Sequence, residues 1–199
     1  MSPAYHIYQQ SMLAIYPELS SEEWHYLQEH TCLESRKRKT HVLQAGEVQK
    51  SIPFVVSGLI RGYYHNEKGE DITISFAKEH GYVTHYAAFL AQTPSQYSFQ
   101  CLEDSEIIQL PYEAMQAGYR QFQGLERFGR LIAEQILSFQ QQRITAFQFL
   151  SAEERYLQFL ADFPDLFHRV SLSHLASYLG IQRPSLSRIR KQLAEKGTL

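Results

Sequence analysis

The sequence predicts an α+β chain: an N-terminal antiparallel β-barrel or jelly roll (a double-stranded β-helix), a long dimerisation helix and a C-terminal helix-turn-helix. Three observations predict it. Short β-branched and aromatic runs separated by glycines fill the stretch from Thr40 to Leu110. Apolar residues then recur every seven positions between Leu125 and Phe149. Two short amphipathic segments joined through Gly180 follow, the second basic on its outer face.

Taken in order, the chain opens as helix. Ser20 and Glu23 form a capping-box pattern and Leu19 and Trp24 sit at staple spacing, so a helix is expected from Ser21 to His30. Val42-Leu43, Ile52–Val56, Leu59–Tyr64, Ile72–Phe76, Tyr97–Leu102 and Glu106–Leu110 read as strands. Gly46, Gly58, Gly69 and Gly81 punctuate them, and Asn66–Gly69 is a hairpin turn. Even spacing of this kind implies a small antiparallel barrel or jelly roll.

After Pro111 the pattern turns helical. Leu125, Ile132, Phe139 and Ala146 form one row, Phe128, Gln135, Gln142 and Phe149 another, with Ile136, Arg143 and Leu150 alongside. A helix from Leu125 to Phe149 is about 37 Å long at about 1.5 Å per residue. Leu125, Phe128, Ile132, Ile136 and Phe139 are the candidate dimer seam. The alternative is a helix packed only on its own barrel, which Gln135 and Gln142 in the seam keep open. Ser151 and Glu154 make a second capping box, starting a helix through Arg155–Ala161 that stops before Pro164. The domains expected are 1–123 (sensor barrel), 124–150 (dimerisation helix) and 151–199 (helix-turn-helix).

Charge is unevenly placed. The net charge is −2, yet five basic residues and one acidic one fall between Ser171 and Leu199. A basic segment on an otherwise acidic chain suits a polyanion partner, although a solvated helix face would look the same. No apolar run is long enough to span a bilayer, and Met1–Gln10 lacks a secretion-signal layout, so a cytoplasmic protein without a membrane partner is expected. Cys32 and Cys101 are read as two reduced, buried thiols.

Within the basic segment, Ser171 caps a helix whose stripe is Leu172, Leu175, Ala176 and Leu179, and Gly180 ends it. After Ile181-Gln182 a second helix starts with Pro184 and turns Leu186, Ile189 and Leu193 inward. Gln182, Arg183, Ser185, Ser187 and Arg188 are candidates for reading bases in the major groove of double-stranded DNA, with Arg183 and Arg188 suited to guanine O6 and N7. Arg190, Lys191, Ser171 and Ser173 suit phosphate.

The whole order, with Leu43-Gln-Ala-Gly-Glu47, Ser57-Gly-Leu-Ile-Arg-Gly62 and Leu179-Gly-Ile-Gln-Arg-Pro-Ser-Leu-Ser-Arg-Ile189, resembles the Crp/Fnr family of transcription regulators. The resemblance implies a cyclic-nucleotide-binding-like domain, a homodimer on a pseudo-palindromic site, RNA polymerase as a partner and a hairpin wing after the last helix; the sequence here ends at Leu199. Arg183 and Arg188 match the family's two base-reading arginines, but Pro184 stands where it carries glutamate. Members that bind cyclic nucleotides carry Gly-Glu and, about ten residues on, Arg with a small hydroxyl residue. Here His85-Tyr86 and Gln96-Tyr97 occupy those places. A phosphate would meet no arginine, so cyclic AMP is not the expected effector. Tyr82, His85, Tyr86, Phe89, Gln96 and Tyr97 are the effector-pocket candidates, the effector itself being unknown. Two cysteines fall short of an iron–sulfur site, and no cofactor or metal is expected.

Two other classes stand beside this one. A small barrel with His41, His65, His80 and His85 could be a cupin-like metal enzyme, but no H-x-H pair occurs and no nucleophile motif appears, so an enzyme is not expected. A dimeric ligand-binding protein of the same fold that has lost DNA binding is the third reading.

Overall fold

The structure is a computed structural model and describes residues 2–196. It divides into two compact units. Among the described residues, one comprises 2–62 with Phe76–Ile136, the other Tyr63–Ser75 with 137–196.

In the first unit, helices α1 (Pro3–Ile15) and α2 (Ser21–His30) precede the strands. The α2 capping box is formed: Glu23 N donates to Ser20 Oγ and Ser20 N to the Glu23 carboxylate. Strands β1 (Cys32–Arg36), β2 (His41–Leu43), β3 (Ser51–Ser57), β4 (Ile60–His65) and β5 (Asp71–Ala77) follow, then α3 (Tyr86–Ala91), β6 (Ser98–Cys101), β7 (Ser105–Pro111), α4 (Tyr112–Gln121) and the start of α5 (Gln123–Phe149). The expected hairpin turn is present, with Gly69 N donating to Asn66 O.

The strands do not close into the barrel that their spacing implied. They form two separate sheets, in the orders β1-β7-β3 and β2-β6-β4-β5. The reason lies at β3. Its outer edge is occupied by an irregular segment, in which Val83 N donates to Pro53 O, His80 N to Val55 O and Val55 N to Gly81 O. Pro53 has no N–H to offer a neighbouring strand. The fold is thus α+β with two open sheets and C-terminal helices.

Strand alternation gives the three-stranded sheet two apolar faces. Val55 and Ile107 meet Leu43, Ile60, Phe99 and Cys101 of the other sheet. Phe54, Ile108 and Leu110 face the other way and join α1, α2, α4 and α5. Cys101 is buried as expected, but Cys32, on the edge strand β1, is exposed.

The second unit holds the remainder of α5 and helices α6 (Ala152–Asp162), α7 (Leu166–Arg169), α8 (Leu172–Tyr178) and α9 (Arg183–Glu195). The Ser151–Glu154 capping box is made. Tyr156, Phe159, Leu166, Leu175, Leu186 and Leu193 form its buried interior. The β4–β5 hairpin tip belongs here: Thr73 N donates to Ser177 Oγ at 2.8 Å, and Ser177 Oγ donates to Asp71 O at 3.0 Å. A wing after α9 lies outside the described residues.

Candidate nucleic-acid interface

Ser171 caps α8, its hydroxyl accepting from His174 N at 3.2 Å. The helix ends at Gly180, whose φ of +69° is left-handed. A Cβ there would stand 2.7 Å from the Phe147 ring, so the turn needs glycine for space as well as conformation. The turn then delivers Gln182 as N-cap and Pro184 in the first turn of α9. Leu186 and Leu193 are buried under α9, each contributing about 1.5–3 kcal/mol to seating it.

That seating decides which side chains face solvent. Gln182, Arg183, Ser187, Arg188 and Lys191 are exposed, and Ser185 is half-buried. Arg183, Ser187 and Lys191 follow one another at four-residue intervals, with Arg188 three before Lys191, so they form one contiguous surface. Ser187 Oγ donates to Arg183 O at 3.1 Å. Ser171 and Ser173 are exposed at the start of α8. Arg190 is placed differently: its guanidinium lies 4.7 Å over the Phe167 ring, bracing α9 against α7.

Sequence reasoning missed the clamp beneath this surface. Arg143 of α5 lies 3.9 Å over the Tyr178 ring and donates to Tyr178 O. Arg155 donates to Leu179 O and Leu150 O. The only sequence signal was an arginine inside an otherwise apolar row.

The effector-pocket candidates separate. The rings of His85 and Tyr97 are 4.4 Å apart, and Gln96 N and Ser95 Oγ both lie 3.4 Å from His85 Nδ1. Burial lowers the His85 pKa, favouring the neutral imidazole. Tyr82 and Tyr86 instead pack with the helical core, and buried Phe89 meets Tyr112 edge-on. Sequence reasoning also missed Arg61, a buried cation on β4.

The seam candidates divide as well. Leu125, Phe128 and Ile132 are buried in the first unit's own core, and Ile136 packs against it. Phe139 is half-buried, edge-on to Phe163. The exposed apolar residues of α5 are Leu137, Ile144, Phe147 and Phe149, at 67%, 52%, 45% and 77% exposure.

Among the described residues, no three His, Cys, Asp or Glu side chains are grouped to hold a metal. No helix among them is long and apolar enough to cross a membrane.

Residues 33–122 match the family described as "Cyclic nucleotide-binding domain". No curated protein matches the chain in sequence. Among solved structures it is similar to FixK2 from Bradyrhizobium japonicum, at 15% identity over 84% of this chain and 86% of that one, TM-score 0.72. The c-di-GMP responsive global regulator CLP of Xanthomonas campestris matches at 17% identity over 89% and 93%, TM-score 0.71. A Crp/Fnr-family protein from Eubacterium rectale matches at 14% identity over 94% and 88%, TM-score 0.71. Residues 33–122 are thus similar to a cyclic nucleotide-binding domain, and the chain shares the fold of these solved structures.

Proposed function

We propose that this chain is a non-enzymatic, cytoplasmic transcription regulator of Crp/Fnr type that binds a pseudo-palindromic DNA site as a homodimer. The observation that carries the reading is the α8–turn–α9 pair, with Arg183, Ser187, Arg188 and Lys191 exposed together on α9. The N-terminal half of α9 enters the major groove, where Arg183 and Arg188 donate to guanine and Gln182, Ser185 and Ser187 contact neighbouring base edges. Lys191, Ser171 and Ser173 meet phosphate, positioning the helix without reading sequence. Arg190 supports this surface from its place on Phe167. Pro184, where the family carries glutamate, removes an acceptor for cytosine N4, so the preferred site differs from the family's best-known one.

Dimerisation uses the outward side of α5. Leu137 and Ile144 lie seven residues apart and exposed, the geometry of a helix-pairing seam. A dimer of this kind presents its two recognition helices to successive major grooves, about 34 Å apart. RNA polymerase contact belongs to the same reading.

Cyclic AMP is not the switch. The stretch Gly81–Ser98 holds no carboxylate for the ribose and no arginine for the phosphate, and burial favours neutral His85. Selection from random duplexes tests the whole reading: a pseudo-palindrome should be enriched, with half-sites about one helical turn apart and the same affinity with or without cyclic AMP. No enriched sequence would refute DNA reading, and micromolar cyclic AMP that shifts affinity would refute the effector argument.

A further inference from the structure

Helix α8 has only seven residues, too few to hold a direction by its own hydrogen bonds, so its aim is set by what grips it. Two arginines from other helices take carbonyls at its C-terminal end. Arg143 of α5 donates to Tyr178 O at 3.3 Å, with its guanidinium 3.9 Å over the Tyr178 ring. Arg155 of α6 donates to Leu179 O at 3.1 Å and to Leu150 O at 2.7 Å, so it also holds the corner between α5 and α6. Cations are favourably placed at this negative end of a helix.

One ring lies between the two guanidinium groups. The Phe147 ring of α5 is 5.3 Å from that of Arg143 and 5.0 Å from that of Arg155. The same ring fills the space that a Cβ at Gly180 would need. The end of α5 thus grips the turn that leads into α9 by a stack and by hydrogen bonds together. Leu137 and Ile144 of this stretch point outward, and Ile144 adjoins Arg143 in sequence. The helix proposed to pair with a second copy is therefore joined to the reading helix by planar, doubly held side chains rather than by a flexible linker.

We infer that Arg143 is a positioning residue that fixes the separation between the two half-sites, by holding each α9 at a set angle to the paired α5 helices. The role rests on the DNA reading and the dimer proposed above, and it concerns the spacing of the site rather than its bases. Inserting one base pair moves a half-site by about 3.4 Å along the duplex and turns it by about 34°. A rigid pair of recognition helices follows that displacement only by deforming the DNA, whereas a loosened pair follows it freely.

The test titrates the full chain with duplexes that carry two selected half-sites at the selected spacing, with one base pair added, or with one removed. A duplex with a single half-site is the reference. Wild type should lose about tenfold or more when the spacing changes by one base pair. Arg143→Gln should lose less than about threefold over the same change, with its single-half-site affinity, circular dichroism and sedimentation as in wild type. Arg143→Lys, which keeps a cation for the ring and a donor for the carbonyl, should recover most of the discrimination. Phe147→Leu removes the ring from the stack and should relax the spacing independently. Wild-type spacing discrimination in the Gln and Leu variants would overturn the inference. So would an equal loss on single and paired half-sites, which would confine the clamp to holding the fold. A wild type that prefers the half-site but ignores spacing would overturn the inference and leave the DNA reading standing. No preference for any duplex would overturn both.

Discussion

At Gly180 two demands meet that any side chain would violate. The backbone sits at φ +69°, and the Phe147 ring occupies the space a Cβ would enter. Gly180→Ala should therefore lower stability by about 1–3 kcal/mol, measured by urea unfolding. A loss near zero would mean that the turn relaxes freely. The glycine was legible because it falls between two apolar stripes, and the caps Ser20, Ser151 and Ser171 were legible because capping is local. Phe147 over Gly180 and Arg143 over Tyr178 were not, since both depend on contacts across more than thirty residues. The effector candidates lie apart for a related reason. They come from one stretch of sequence, but its residues divide between different faces of the three-stranded sheet. Tyr82 and Tyr86 join the helical core, while Tyr97 packs with the core between the sheets.

Among the elements, α5 carries the sharpest difference between sequence and structure. Its seven-residue rows are real, but the exposed pair Leu137 and Ile144 belongs to none of them. Leu125, Phe128 and Ile132 fill the chain's own core, leaving Leu137 and Ile144 outward. The repeat alone could not assign them, because an apolar row looks the same whether its partner is the same chain or another. The two roles predict different failures. Leu137→Glu with Ile144→Glu should leave the fold intact and convert the dimer to monomer in sedimentation at micromolar concentration. Ile132→Glu should instead unfold the first unit, by placing a carboxylate in apolar surroundings. A dimer that survives both outer substitutions would remove α5 from the interface. The strands show the same limit in another form. All but β1 were legible from glycine spacing and β-branched runs, whereas the open sheets follow from which backbone groups take the edge of β3.

Considered whole, the chain concentrates positive charge in its last helices while the remainder is acidic. That division, legible from the sequence, fits a DNA-binding end on a chain that otherwise avoids polyanions. The order of strands, long helix and helix pair was legible too, being carried by local periodicity. The two compact units were not, because the hairpin Tyr63–Ser75 groups with helices that lie about a hundred residues later. The central claim is that α9 reads sequence. Its most direct measurement is the affinity of wild type and Arg188→Ala for the selected duplex and for a scrambled one, at fixed salt. The substitution should cost about 1–3 kcal/mol on the selected site, relax preference at one base position in each half-site, and leave scrambled DNA nearly unaffected. Equal weakening on both duplexes would assign Arg188 to phosphate and contradict the claim.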